Sequence, residues 1–262
     1  MKFVGIDLGW YSQASGLCCL QWDSEKLRLL QLDRKLSLEE ILAWCDALIT
    51  EEEAALISVD APTLIPNETG MRLPDRLTHK YFGRYHAGCY PANLNRPFAE
   101  RTVGFGLSLQ ERGFLHAPTL IPQQLGRYQI EVYPHAAMVE LFQLERILKY
   151  KKGKLAQRKA ELKKLQQYAS DVLPQLTPAL SLEGFSDEID PKAQQLGDLI
   201  AQPLDNLTGA ALKAIEDQLD SLICAYIGAY WWYWGEQRNR VLGDRATGYI
   251  IVPLPVSSDY CG

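Results

Sequence analysis

The first 60 residues constrain the fold most, because their apolar patterns come in a fixed order. Three strand-like runs, residues 2–7, 16–22 and 27–32, are separated by polar turn residues, Ser12 and Ser15 and then Asp23-Ser24. That is the pattern of an antiparallel meander. Ser37-Leu38-Glu39-Glu40 follows. The Ser37 hydroxyl can accept from an orphan backbone N–H and Glu40 can reach back, a capping box that opens a helix. Leu38, Ile41, Leu42, Cys45 and Leu48 share one face of that helix. A buried-type strand, residues 55–59, then ends at Asp60-Ala61-Pro62, since proline cannot donate to a ladder.

Beyond residue 62 the elements are longer and less regular. Residues 62–97 are loop-rich with a short helix over 72–82, and 98–112 reads as a weak helix loosened by Gly104 and Gly106. A strand at 128–133 stops at Pro134, and helices are expected over 136–148, 154–168 and 209–234. Residues 174–203 are polar and poorly periodic, and 249–252 forms a last short strand. The order predicts one mixed α/β domain over residues 1–262, with helical insertions around 62–127 and 146–208. Hydrophobic residues at 47% and charged residues at 23% are globular proportions.

The longest nearly apolar run, residues 219–234, is interrupted by Asp220 and Ser221 and falls short of the roughly 18 residues a membrane span needs. The first residues, MKFVGIDLGW, lack a charged leader and an apolar signal core. Six cysteines (Cys18, Cys19, Cys45, Cys89, Cys224, Cys261) include no CxxC pair. Reduced thiols in a cytoplasmic protein without a membrane partner are therefore expected. A net charge of −5 counts against general coating of nucleic acid.

The chemistry-bearing residues are acids at element ends. Asp7 ends the first strand and Asp60 the fourth. Sites in α/β sheets gather at the carboxyl ends of strands, and two carboxylates side by side favour a divalent cation. Glu131 lies one pleat before the end of a further strand, and Glu216, Asp217 and Asp220 lie on the long helix. Glu216 and Asp220 border its apolar stripe of Leu212, Ile215, Leu219, Leu222, Ile223 and Tyr226, with Asp217 further round. Asp7, Asp60 and Asp220, with Asp217 or Glu131, make a hard-cation ligand set suited to Mg²⁺ or Mn²⁺.

Gly5-Ile6-Asp7-Leu8-Gly9-Trp10, Val59-Asp60-Ala61-Pro62, Glu131-Val132-Tyr133-Pro134-His135 and Asp217-Gln218-Leu219-Asp220-Ser221-Leu222 occur in that order. Together they resemble the domain-of-unknown-function family numbered 429, a family of predicted RNase H-like nucleases. The segment 72–84, with Asp75, Lys80 and Gly83, and the closing 248–253 are also similar. The resemblance implies an RNase H-like mixed five-stranded sheet flanked by helices. It also implies metal-binding acids at Asp7, Asp60 and Asp217/Asp220, acting on a phosphodiester through two metals roughly 4 Å apart. The sequence departs from that pattern at the first helix, where Glu39 and Glu40 read as capping residues. It departs again after Asp7, where only Leu8 precedes Gly9-Trp10.

Basic residues offer two phosphate-binding candidates. Arg72, Arg76, Lys80 and Arg84 recur at fours beside Asp60, and arginine forks suit phosphates. The strip from Arg146 to Lys164, including Lys154 and Arg158, reads equally as a phosphate track or a solvated helix face. His135 reads as a helix-start residue or a proton shuttle. His86 and Cys89 have a zinc-compatible spacing but lack the two further ligands of a tetrahedral site. Residues 226–234, with Tyr226, Tyr230, Trp231, Trp232, Tyr233 and Trp234, are aromatic or apolar all round and suggest a buried core or a homo-oligomer contact.

The leading expectation is a metal-dependent phosphodiesterase acting on nucleic acid. The alternatives are an actin-like or sugar-kinase-like phosphotransferase, since Gly5-Ile6-Asp7-Leu8-Gly9 also resembles a phosphate loop, and a non-catalytic RNase H-like binding module.

Overall fold

The computed structural model describes residues 1–11, 13–182 and 191–254. A meander of β1 (Lys2–Asp7), β2 (Ser15–Trp22) and β3 (Lys26–Lys35) leads through α1 (Leu38–Leu48) to β4 (Ala55–Val59). The Ser37–Glu40 capping box is present, with Glu40 N–H donating to Ser37 Oγ at 3.1 Å. After α2 (Leu73–Phe82) and α3 (Ala99–Glu111) come β5 (Leu115–His116), β6 (Arg127–Glu131) and α4 (Pro134–Leu141). The chain continues through α5 (Leu155–Asp171), β7 (Ala179–Leu180), α6 (Pro191–Ala201) and α7 (Gly209–Trp234) to a hairpin of β8 (Asn239–Asp244) and β9 (Gly248–Pro253).

The main sheet has seven strands in the order β5-β6-β4-β1-β2-β3-β7, which corrects the expected five. The β1-β2 and β2-β3 pairs are antiparallel, and the other four are parallel. The two unforeseen strands of this sheet, β5 and β7, are two-residue edges, too short for any alternation to register. β8-β9 stands apart and touches the main sheet through the bridge Val132↔Ile251.

Alternation of side chains divides the sheet into two faces. Phe3, Leu56 and Ile130 enter the larger core with α4, α5 and α7. Val4, Ile6, Ile57 and Val59 enter a second core with Ile41 and Cys45 of α1 and Phe105 and Leu109 of α3. α7 lies hard against the first face because two positions there have no side chain. A Cβ on Gly5 would stand 2.0 Å from the Ser221 carbonyl oxygen, and one on Gly16 1.9 Å from that of Asp217. This close approach brings the acids of α7 down to the end of β1.

Tyr226, Tyr230, Trp231 and Trp232 are buried by the chain's own strands and loops. Trp231 Nε1 donates to Ala117 O at 3.1 Å and Trp232 Nε1 to Gln124 O at 2.9 Å. These four residues follow the buried-core reading of the aromatic helix end. α4 ends at Leu141 rather than 148, and Gln143 just beyond it has a left-handed φ of 51°. Cys18, Cys19, Cys45, Cys89 and Cys224 are free thiols; Cys261 lies outside the described residues. Among the described residues no helix is long and apolar enough to cross a membrane.

Candidate active site

β1 and β4 are parallel neighbours with Ile6 opposite Val59. Asp7 and Asp60 therefore leave the sheet side by side, and Asp60 N–H donates to Ile6 O at 2.9 Å. Asp7 lies in the same row as Gly16 and Arg34, the row that α7 crosses at Asp217. Asp217 and Asp220 are both almost fully buried there. Asp7, Asp60 and Asp217 line one cleft of about 930 Å³, together with Arg76, His135, Lys151, Lys152 and Lys213 and the aromatic rings of Trp10, Tyr11, Tyr90 and Tyr133.

Lys151 stands among the acids. Its Nζ is 2.7 Å from Asp220 Oδ2 and 3.7 Å from Asp7 Oδ1. Tyr150 OH donates to Asp220 Oδ1 at 2.6 Å. Burial alone would neutralise the Lys151 ammonium, but Asp220 and Asp7 raise its pKa above the ordinary value, so it stays charged. Burial raises the Asp7 carboxyl, with Lys151 opposing and Asp220 adding to the rise. Burial also raises Asp60 well above the carboxylate range, against the pull of Lys151. Among the described residues the Asp60 carboxylate has no hydrogen-bond or ion-pair partner. Asp7 and Asp220 thus share one ammonium, and Asp60 beside them feels its charge without pairing with it.

Asp217 belongs to a neighbouring group. Arg34 donates to its Oδ2 through Nη2 at 2.7 Å and Nε at 3.2 Å, and Lys213 pairs with Oδ1. The four acids expected in one metal shell are therefore divided, three around Lys151 and one between Arg34 and Lys213. Among the described residues no three Asp, Glu, His or Cys side chains stand in a metal-holding arrangement.

Glu131 takes the other side of the sheet. It shares register with Val59 and so with Ile6, one residue short of Asp60, and alternation turns it toward the opposite face. Arg72 meets it there with a fork, Nη2 to Oε1 and Nη1 to Oε2, each at 2.7 Å. The same guanidinium donates to Asp75 Oδ1 from Nε and Nη2 at 3.1 and 2.8 Å and to Leu64 O at 3.0 Å. Burial raises the Glu131 carboxyl and the Arg72 fork pulls it back.

Arg72 therefore leaves the expected row of phosphate binders. Arg72 is buried and committed internally, Lys80 lies over the Tyr81 ring and Arg84 over Tyr85. Arg76 alone of the four lines the cleft. On the lysine strip, Lys154 is exposed at the start of α5. Arg158 pairs with Glu216 at 2.6 Å and donates to Tyr150 O at 2.9 Å. That last bond holds the Tyr150-Lys151 segment over the acids.

His135 is the second residue of α4 and lies between the rings of Tyr133 and Tyr150. Burial, with Lys151 and Lys152, holds its pKa down to about 3. It is therefore neutral at neutral pH. The Cys89 thiol contacts Thr78 Oγ1 at 3.1 Å and is pushed up to about 12, chiefly by burial, which does not suit a thiolate ligand.

Tyr150, Lys151, Arg34 and Lys213 are site residues that the spacing of acids did not single out. One signal was present: Gly153, with φ 115°, breaks the lysine strip and puts Tyr150 and Lys151 in a loop rather than on a helix face.

No curated protein matches the chain. The model of the family described as "Protein of unknown function (DUF429)" matches residues 5–247, a span that contains every residue of the cleft. The chain belongs to the DUF429 family.

Proposed function

We propose that this protein is a metal-dependent phosphodiesterase acting on nucleic acid, with Asp7, Asp60 and Asp220 as its metal-holding acids. One observation carries the reading: Asp7 of β1 and Asp60 of β4 line one cleft side by side, and the buried Asp220 of α7 shares the Lys151 ammonium with Asp7. The donors are hard oxygens of the kind magnesium and manganese prefer, and Asp60 brings a carboxylate with no other partner. In kind the residues fit the ion.

The sheet supports the RNase H-like part of the proposal, since β3-β2-β1-β4-β6 is a five-stranded mixed sheet within the larger one. A bound divalent cation supplies charge stabilisation at a phosphoryl oxygen and a more acidic water. The chain's own groups do the rest. Lys151 lines the cleft with an ammonium, a charge suited to a phosphate oxygen. Tyr150 fixes the Asp220 carboxylate by donating to it, and Arg158 fixes Tyr150. Arg76 and Lys152 line the approach for further phosphates.

A non-catalytic binding module is favoured by one fact, that Lys151 already supplies a counter-charge to Asp220 and Asp7. The phosphotransferase reading finds less support, because the Gly9 N–H that a phosphate loop would offer donates instead to Ser15 Oγ at 3.0 Å.

The test is incubation with Mg²⁺ or Mn²⁺ and labelled single strands, duplexes, hybrids and junctions, with Asp7→Asn and Asp60→Asn alongside. Metal-dependent cleavage lost in both variants is expected. Cleavage retained in either, or tight metal binding without cleavage of any substrate, overturns the assignment.

A further inference from the structure

The aromatic residues at the mouth of the cleft are not needed to hold a metal. Tyr11 and Tyr90 are 54% and 55% exposed and, with Tyr81, are the only exposed large aromatics among the described residues. Two of the three therefore fall on this one cleft. Tyr81 is different: Lys80 and Arg240 lie over its ring at 5.3 and 4.5 Å. Tyr11 has no ring or hydrogen-bond partner among the described residues.

Tyr90 is braced rather than loose. Its ring meets Trp10 edge-on at 5.9 Å and Phe98 at 6.3 Å, and Trp10 packs on Phe98 at 4.4 Å. Phe98 is buried, so the shelf is anchored in the protein while its outer rings face the cleft. Arg96 lies over the Tyr90 ring, 5.1 Å from its centroid, one cation where Tyr81 has two. Cations also line the cleft itself at Arg76, Lys152 and Lys213.

We infer that this cleft selects single-stranded nucleic acid, an unpaired base stacking on the Trp10-Tyr90 shelf or on Tyr11 while the adjoining phosphates lie along Arg76, Lys152 and Lys213. Alternating π-faces and cations are what a single strand offers contacts to, and every base has a stacking face. The acids point to the same substrate. Asp220 is fully buried and the Asp7 side chain is only 13% exposed. A flexible single strand bends its backbone into a cleft toward groups that lie so deep more readily than a stiff duplex does. The inference rests on the phosphodiesterase reading for its meaning, but binding tests it separately.

The measurement is fluorescence anisotropy of the full chain with labelled oligo-dT, oligo-U and a duplex of equal length, in EDTA so that cleavage plays no part. Single strands are expected to bind at least about tenfold more tightly than the duplex. Tyr90→Ala and Tyr11→Ala each weaken single-strand binding by about fivefold or more, while Tyr90→Phe, which keeps the ring, and Tyr81→Ala do not. The ratio of oligo-dT to oligo-U binding separates DNA from RNA. Equal or tighter duplex binding, no binding to any oligonucleotide, or unchanged binding in both alanine variants overturns the inference. Cleavage in Mn²⁺ is read independently. A chain that binds single strands through Tyr90 but cleaves nothing loses the phosphodiesterase reading and keeps the shelf. A chain that cleaves duplexes as fast as single strands does the reverse.

Discussion

Two ion clusters occupy the same end of the sheet and use the same residue types, yet they are finished differently. In one, Arg72 bridges Glu131 and Asp75, donates a further bond to Leu64 O, and is shut away from solvent. In the other, Lys151 at the wall of an open cleft pairs with Asp7 and the buried Asp220, and Asp60 beside them has no partner. The guanidinium has five donors in a rigid fork and distributes them over two acids and a carbonyl. Lys151 brings one compact charge to three acids. A cluster whose hydrogen bonds are all made has nothing left for a ligand. A cluster with more charge than partners is stable only if something else completes it.

The largest effect should come from opening the closed cluster. Arg72→Ala leaves two buried carboxylates without their partner, and such a break costs about 3–5 kcal/mol, to be read as a lower urea midpoint. Arg72→Lys should recover little, because an ammonium cannot fork to Glu131 and reach Asp75 and Leu64 O together. A midpoint unchanged in Arg72→Ala would show that this cluster does not support the fold, and the contrast with the cleft would collapse.

The sequence carried the meander, the capping box, β4 and α7, because each has a local pattern that burial reads directly: alternation, a cap, or a stripe at helical spacing. It placed Asp7, Asp60 and Asp220 at strand ends and a stripe edge, which are local facts, but whether they meet depends on strand pairing that no local pattern carries. Glu131 and Arg72 were misread for a physical reason. Position along a strand is visible in a sequence, but the face depends on register, and one residue's difference from Asp60 sent Glu131 to the other side. The spacing of Arg72, Arg76, Lys80 and Arg84 describes one helix face only if all four are in the helix. Arg72 is its N-cap, and Gly83 and Arg84 lie beyond its end. Lys151 was hidden among eight other basic residues between Arg146 and Lys164, and only the loop that Gly153 ends distinguishes it.

The open cluster should respond less to loss of its cation and should respond to metal. Lys151→Met removes the one counter-charge from three acids. With the Lys151 side chain 30% exposed, the cost should be smaller than at Arg72, about 1–3 kcal/mol. Added Mn²⁺ should raise the melting temperature of Lys151→Met more than that of the parent chain, because the cation then enters a site of greater charge. An equal rise in both proteins would mean that Lys151 and the metal do not compete for the same acids.

Proton uptake separates the clusters from the neutral core beside them. His116 is buried and contacts Tyr249 OH through Nδ1 at 3.1 Å, and burial lowers its pKa to about 4 from 6.5. The unfolded chain takes up this proton below pH 6.5 while the folded one does not. The stability this group contributes is complete above pH 6.5 and is lost as pH falls toward 4, by about 2 kcal/mol at pH 5. Asp7 and Asp60 act in the opposite direction, because their folded carboxyls are raised. Below their unfolded pKa they add stability, which disappears as pH rises through the folded values. His116→Gln should therefore show a urea midpoint at pH 5 improved relative to pH 7, by comparison with the parent. An unaltered pH profile would mean that His116 is charged in the fold.

Asp60→Asn should change stability least and function most. The carboxylate it replaces makes no bond within the described chain, repels Asp7 and Asp220, and is held above its ordinary pKa by burial. An amide of the same shape removes that repulsion and breaks no hydrogen bond, so the urea midpoint should stay within about 0.5 kcal/mol of the parent or rise slightly. Metal affinity, read by titration calorimetry with Mn²⁺, should fall by at least about tenfold, since a carboxylate ligand has been exchanged for a neutral one. The two readings are informative only together. A site built for the fold would lose stability on substitution, as Arg72 does, and a site built for a ligand would lose the ligand. A markedly lower midpoint in Asp60→Asn would place the cleft acids in the same class as the closed cluster, and the difference in partners between the two would no longer mark a functional site.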